Sequence, residues 1–234
     1  MKKTLSALAA AGLIAAAVPT TATANEIGGG LSWSGNLTFT SDYLFRGFTE
    51  SDAGPAVQGE FAVEHETGFY LGSWSSSLAS GDDGNGLETS VYGGYEVEFY
   101  PGLTFDIGIY RYIFPRTESN EDFNEYYVGL GTSFYDFDVE LYYSYANDYL
   151  KSGDSASIPE LFVTYNVPDS DVYLFGNTGY TKWNALRDEF DTNDYWYWEF
   201  GAGVEVVGLD FSVMYTDQDL ESRRRFAFMV GADF

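Results

Sequence analysis

The sequence predicts an all-β chain, a transmembrane antiparallel up-and-down β-barrel of about 12 strands. Three observations lead there. Apolar and polar residues alternate with a period of two along most of the chain, and no stretch beyond Asn25 shows convincing helical periodicity. Short turns and long polar loops alternate between the strand candidates, as they must when strands shuttle between the two sides of a membrane. The chain also combines 19% aromatic residues with a net charge of −25. Such acidity usually accompanies disorder, which this aromatic content opposes. A barrel reconciles the two, with rings facing lipid and charges facing water.

The first residues read as an export signal. Lys2 and Lys3 precede an apolar stretch over residues 5–18, and Ala22-Thr23-Ala24 supplies the small-x-small cleavage pattern. The stretch is shorter than the roughly 20 residues a spanning helix needs. Residues 1–24 are therefore expected to be a removed signal peptide rather than a retained anchor, and residues 25–234 the barrel. Loss of the two lysines takes the net charge to −27, which argues against nucleic acid as a partner. No other segment is apolar for long enough to be a membrane helix. Cysteine is absent, so disulfides are not the staple.

The first strand candidate, residues 31–46, sets Leu31, Trp33, Leu37, Phe39, Tyr43 and Phe45 against Ser32, Ser34, Asn36, Thr38, Thr40 and Asp42. The second, 57–64, sets Val57, Phe61 and Val63 against Gln58, Glu60 and Glu64. The fourth, 87–99, sets Leu87, Val91, Tyr95, Val97 and Phe99 against Glu88, Ser90, Glu96 and Glu98. The fifth, from Leu103, sets Phe105, Ile107 and Ile109 against Thr104, Asp106 and Tyr110. The seventh opposes Phe137, Val139, Leu141, Tyr143 and Tyr145 to Asp138, Glu140 and Ser144. The tenth opposes Trp196, Trp198, Phe200, Ala202, Val204 and Val206 to Tyr197, Glu199 and Glu205. The eleventh opposes Leu209, Phe211, Val213 and Tyr215 to Asp210, Ser212 and Thr216. The last opposes Phe226, Phe228, Val230, Ala232 and Phe234 to Arg225, Ala227, Met229 and Asp233. Four further candidates, 68–78, 123–134, 160–167 and 172–182, face less clearly, above all the last, where both faces carry apolar residues.

Tight connections fall at residues 65–68, 100–102, 135–136, 168–170 and 207–208, and long ones near 47–55, 79–86, 115–122, 147–159, 183–194 and 217–222. An even strand count brings both termini to the turn side. Closure is required because hydrocarbon offers no partner for a free sheet edge. Tyr43, Phe45, Trp196 and Trp198 toward the loops, and Phe99, Phe137 and Phe234 toward the turns, fit interface girdles. The competing reading places these rings in the core of a soluble β-sandwich.

The run Ser41-Asp42-Tyr43-Leu44-Phe45-Arg46-Gly47, then residues 54–59 (GPAVQG) and 65–74 (HETGFYLGSW), resembles the proteobacterial TorF-type porin family along nearly the whole mature chain. The resemblance implies an outer-membrane location and a suspected pore of unsettled substrate. The aromatic strand ending in Phe234 resembles the signal that outer-membrane barrels present to the bacterial assembly machinery.

Enzyme chemistry is not expected. The one histidine, His65, lies in a predicted turn on the periplasmic side, away from the outer rim where barrel hydrolases resemble one another in placing theirs. With no cysteine and one histidine, the usual zinc and haem sites cannot be assembled, and no cofactor is expected. The Asp/Asn/Gly-rich residues 81–86 lack the spacing of an EF-hand and read as a turn. Acidic loops carrying Asp188, Glu189, Asp191 and Asp194, or Asp217, Asp219 and Glu221, could gather divalent cations weakly.

The facing assignment puts Asp42, Glu60, Glu64, Glu88, Glu96, Glu98, Asp106, Asp138, Glu140, Glu199, Glu205 and Asp210 in the lumen, opposed only by Arg46, Arg223 and Arg225 near the outer mouth. Carboxylate rings concentrate cations, so the expectation is passive diffusion of small hydrophilic solutes or ions with weak cation selectivity. The alternative is a structural or adhesive barrel with a filled interior, since inward Tyr92, Tyr110, Tyr142 and Tyr197 could occupy much of a narrow lumen. Outward Arg111 and Arg224 suit lipopolysaccharide phosphates or are surface arginines that snorkel.

Overall fold

The computed structural model describes residues 25–234, apart from 79–85, 116–121, 189 and 221–223. The expected signal peptide, Arg223, Glu189, Glu221 and most of the Asp/Asn/Gly-rich segment lie outside the described residues. The strands are β1 (Asn25–Gly28), β2 (Leu31–Thr40), β3 (Leu44–Phe45), β4 (Phe48–Thr49), β5 (Ala56–His65), β6 (Phe69–Ser77), β7 (Leu87–Tyr100), β8 (Leu103–Ile113), β9 (Phe123–Phe134), β10 (Phe137–Ala146), β11 (Ala156–Asn166), β12 (Val172–Trp183), β13 (Asp194–Val206), β14 (Leu209–Gln218) and β15 (Arg225–Asp233).

Twelve of these, β2 and β5 to β15, form a closed antiparallel barrel. Each strand from β5 onward pairs with its successor in the chain. β2 bridges the ends, pairing with β5 from Leu31↔His65 to Thr40↔Ala56 and with β15 from Met229↔Thr40 to Asp233↔Asn36. Phe234 completes the seam: its amide donates to the Gly35 carbonyl at 3.0 Å, and its carbonyl accepts from the Gly35 amide at 2.9 Å. The short strand β1, which the sequence did not reveal, folds back on the first residues of β2.

The tight connections lie where the spacing predicts them. In the last of them Val207 and Gly208 both have positive φ, 56° and 74°, the backbone of a two-residue hairpin whose twist matches its strands. The outward face is a band of apolar side chains, among them Phe39, Phe61, Leu71, Ile107, Leu130, Leu141, Phe200 and Phe228, all exposed. On a water-soluble sandwich these residues would be core. Here the buried side chains are inside the cylinder, and they include Tyr92, Tyr110, Tyr127, Tyr142 and Tyr197.

Four of those tyrosines, Tyr92, Tyr127, Tyr142 and Tyr197, lie over glycines of a neighbouring wall strand. Tyr92 covers Gly72 on β6, Tyr142 covers Gly129 on β9, and Tyr197 covers Gly179 on β12; a Cβ at any of these glycines would overlap the ring. Each ring thus occupies the space a side chain on the next strand would take, packing large against small in interlocking fashion.

Two expectations are corrected. The first strand does not run through residue 46. It stops at Thr40, where the Thr40 hydroxyl donates to the Asp42 carbonyl at 2.6 Å and the chain bends inward. Tyr43 and Phe45 are therefore not girdle residues. Tyr43 is buried against Trp74, with ring centroids 5.5 Å apart. The eighth wall strand, β11, begins at Ala156 rather than Glu160. Pro159 points outward there, and it removes only one ladder donor.

Candidate functional site

The lumen divides into two halves of different chemistry. On the loop side, the chain between β2 and β5 enters the barrel as a small hairpin. β3 and β4 pair through Leu44↔Thr49 and Phe45↔Phe48, and the turn between them is Arg46-Gly47, both with positive φ (49° and 89°). Glycine is needed at position 47, because a Cβ there would lie 2.9 Å from the Gln218 Cβ and 3.1 Å from that of Tyr197. Asp42 gathers the base of the hairpin, accepting from Thr49 at 2.5 Å and Ser51 at 3.0 Å through Oδ1 and from Arg225 at 3.4 Å through Oδ2.

The turn delivers Arg46 to the opposite wall. Its Nη1 and Nη2 donate to the two oxygens of Glu125 on β9, both at 2.9 Å. Nε and Nη2 donate to Glu160 on β11 at 3.3 and 3.0 Å. Tyr197 on β13 donates its hydroxyl to Glu160 as well. The side chains of Arg46, Glu125 and Glu160 are 2%, 0% and 1% exposed. Burial works against the charge on Arg46, but Glu125 and Glu160 outweigh it and hold the guanidinium protonated well above its ordinary value. Around this centre Tyr43 donates to Glu88 at 3.2 Å. Leu44 sits among Tyr173, Phe175, Met214 and Met229, and Phe48 packs edge-on to Tyr195.

On the turn side the lumen is acidic. Glu96 on β7 stands directly across from Asp106 on β8, and Glu205 on β13 directly across from Asp210 on β14. Glu64 and Glu140 are charged neighbours of Glu96. Among the described residues no Lys or Arg lies within salt-bridge distance of Glu60, Glu64, Glu96, Asp106, Glu140 or Asp210. Three of them are met by neutral donors: Tyr70 to Asp106 at 2.6 Å, Tyr92 to Glu60, and Tyr173 to Asp210 at 2.8 Å.

The candidate residues therefore separate. Glu64, Glu96, Asp106, Glu140, Glu205 and Asp210 occupy the turn-side half of the inward strand faces, and Glu60 stands at the middle of β5. Glu199, buried, and Arg225 belong to the loop-side half. Arg46 does not stand at the outer mouth but is folded into the bore. Sequence reasoning missed its partners Glu125 and Glu160, and also Tyr70, Tyr127 and Tyr173. The inward alternation Phe123, Glu125, Tyr127 and Ala156, Ile158, Glu160, Phe162 held the signal. His65 is the last residue of β5, where the turn begins, and its Nδ1 is 2.7 Å from the Thr67 hydroxyl. Arg111 and Arg224 lie at the loop end, 3.2 Å from Asp122 and 3.7 Å from Asp217 respectively.

A family model described as "Bacterial protein of unknown function (Gcw_chp)" matches residues 24–232. No curated protein matches the sequence. Among solved structures, the chain is similar to the NanC porin at 13% identity and a TM-score of 0.57, over 86% of this chain and 98% of that one. It is also similar to the COG4313 outer membrane channel from Pseudomonas putida F1 at 10% identity and a TM-score of 0.52, over 89% and 96% respectively. At these identities the likeness is one of fold, a porin-like barrel.

Proposed function

The chain belongs to the Gcw_chp family of bacterial proteins of unknown function, and we propose that it is an outer-membrane channel for passive diffusion of small hydrophilic solutes or ions, weakly selective for cations. One observation carries this reading: Glu96 and Asp106 face each other across neighbouring strands with no described basic partner. Like charges directly opposite each other on a sheet are destabilising. A barrel that needed only to be filled would pair or replace them. A barrel that draws cations from the periplasmic side has a use for them.

The resemblance to TorF-type porins and the porin-like fold both favour this reading, and the apolar belt suits a bilayer. We assign residues 1–24 as a cleaved export signal, and Phe234 on the closing strand as the feature the assembly machinery recognises. Arg111 and Arg224 would meet lipopolysaccharide phosphates at the loop end, in competition with Asp122 and Asp217.

The test is planar-bilayer recording with the refolded mature chain under a potassium chloride gradient. Stable current steps with a reversal potential displaced toward that of potassium are expected; absence of steps at high protein load, from the natural chain and from a variant with Arg46 released alike, would sink the reading. A second reading, a structural or adhesive barrel, is favoured by the hairpin that fills the loop-side bore with buried Arg46. It predicts that silence.

A further inference from the structure

We propose that the hairpin over residues 41–55 is a hinged gate, latched shut by Arg46 on Glu125 and Glu160. The inference rests on the channel reading, because a barrel that conducts must move whatever seals its loop-side half.

Three observations carry it. First, the hairpin is held together by its own bonds. The Glu50 amide donates to the Tyr43 carbonyl at 2.8 Å, the Tyr43 amide to the Ser51 hydroxyl at 2.8 Å, the Ala53 amide to the Thr49 hydroxyl at 2.9 Å, and Thr49 and Ser51 both donate to Asp42. These bonds survive a rigid-body swing. Second, β3 and β4 form a sheet of their own, and among the described residues no backbone-to-backbone hydrogen bond joins residues 42–54 to the wall; the Gly47 amide donates to the Glu199 side chain on β13 instead. On the wall it is side chains that hold the hairpin, whereas the root is fixed where the Ser41 amide donates to the Phe228 carbonyl at 2.9 Å and the Ser41 hydroxyl accepts from the Phe228 amide at 2.9 Å. At the other root Asp52 and Ala53 both have positive φ (52° and 58°) and are exposed.

Third, the principal polar tie to the far wall is the four-bond guanidinium clamp at the hairpin tip, on a non-glycine residue with φ of 49°. A left-handed arginine persists only where its surroundings impose it. Releasing the clamp relieves that constraint and lets the hairpin lift away, joining the loop-side bore to the acidic turn-side half.

The chain has no cysteine, so Leu44→Cys gives a unique thiol on the buried face of the hairpin. It is placed in the natural background and in R46A/E125Q/E160Q, which removes the clamp without leaving a buried charge unpaired. Both are refolded into phosphatidylcholine bilayers, and folding is checked by heat-dependent gel migration. Labelling by a membrane-impermeant maleimide is expected to be roughly tenfold faster in the triple variant, with more frequent current steps. Should the triple variant not fold, Arg46→Lys, which keeps the charge and loses the fork, gives the same two changes at smaller size. Steps with unchanged labelling overturn the gate and leave the channel. Faster labelling with no steps in either background overturns the channel reading and the gate with it.

Discussion

Arg46 and Glu125 meet as two planar groups, fork to fork, with both hydrogen bonds at 2.9 Å and neither side chain more than 2% exposed. The pair lies 79 residues apart in sequence, so it joins the first long loop to the far wall of the barrel. Its energetics differ from those of a surface pair, because breaking it strands a carboxylate with no water to replace the guanidinium. Arg46→Ala is therefore expected to destabilise the folded barrel by about 3–5 kcal/mol, read as a shift in urea unfolding from detergent or lipid. Adding Glu125→Gln and Glu160→Gln should recover most of the loss. No recovery would mean that the hairpin's packing, not the charge, sets the cost.

The tyrosine–glycine contacts make a second prediction. At Gly129 an added Cβ overlaps the Tyr142 ring, so Gly129→Ala must push a buried aromatic off the wall. The expected cost is about 1–3 kcal/mol, typical of overpacking. Gly59→Ala is the control. Its Cβ would have only ordinary neighbours, the Asn36 carbonyl oxygen at 3.7 Å and the Leu37 Cδ1 at 3.8 Å, and the change should be neutral or slightly stabilising. Equal losses in the two variants would refute the interlock.

How far the sequence could be read follows from the same rings. Where a strand alternates apolar residues with acids, as β5, β7 and β14 do, its facing was legible and the turns on either side fell into place. β9 and β11 were not legible, because their inward positions carry Phe123, Tyr127, Ile158 and Phe162 beside apolar outward neighbours such as Tyr126, Val128 and Leu161. A lumen packed with aromatics erases the contrast that marks an inside from an outside. Glu125 and Glu160 sit on those two strands, so the clamp around Arg46 was hidden with them. The inward bend after Thr40 is likewise a tertiary choice. Alternation continues through Tyr43 and Phe45, and only the Arg46-Gly47 pair hints at a turn.

The loop after β10 offers a pH prediction outside the wall. Asp148 accepts the Gly153 amide at 2.9 Å and the Lys151 ammonium at 3.3 Å. The Gly153 bond foremost holds its carboxyl below the ordinary aspartate value against the opposing effect of desolvation, and Lys151 adds to the lowering. Because the folded value is lowered, the turn's stabilisation is fully present above the unfolded value of about 3.9 and is lost as pH falls through the folded one. The Gly153 amide resonance should titrate below pH 3.9, and not at all in Asp148→Ala. A midpoint at or above the ordinary value would show that the bond does not favour the charged form.

The carboxylates of the turn-side half supply the last prediction. Glu64 and Glu140 both lie close enough to act on Glu96, which also faces Asp106 across the β7–β8 ladder. Like charges gathered in this way on a sheet are destabilising. Replacing Glu64, Glu96 and Glu140 together by Gln should therefore leave the barrel at least as stable in urea as the natural chain. If the charges serve permeation, the same triple change must also act on ions. The potassium-to-chloride permeability ratio, read from the reversal potential, is expected to fall toward one, because the fixed charge that enriches cations has gone. The two readouts separate two roles. A more stable barrel with an unchanged ratio would mean that the acids do not face the permeating ions, whereas a loss of stability would mean that they are structural acceptors for the lumen hydroxyls, such as that of Tyr70 on the neighbouring Asp106.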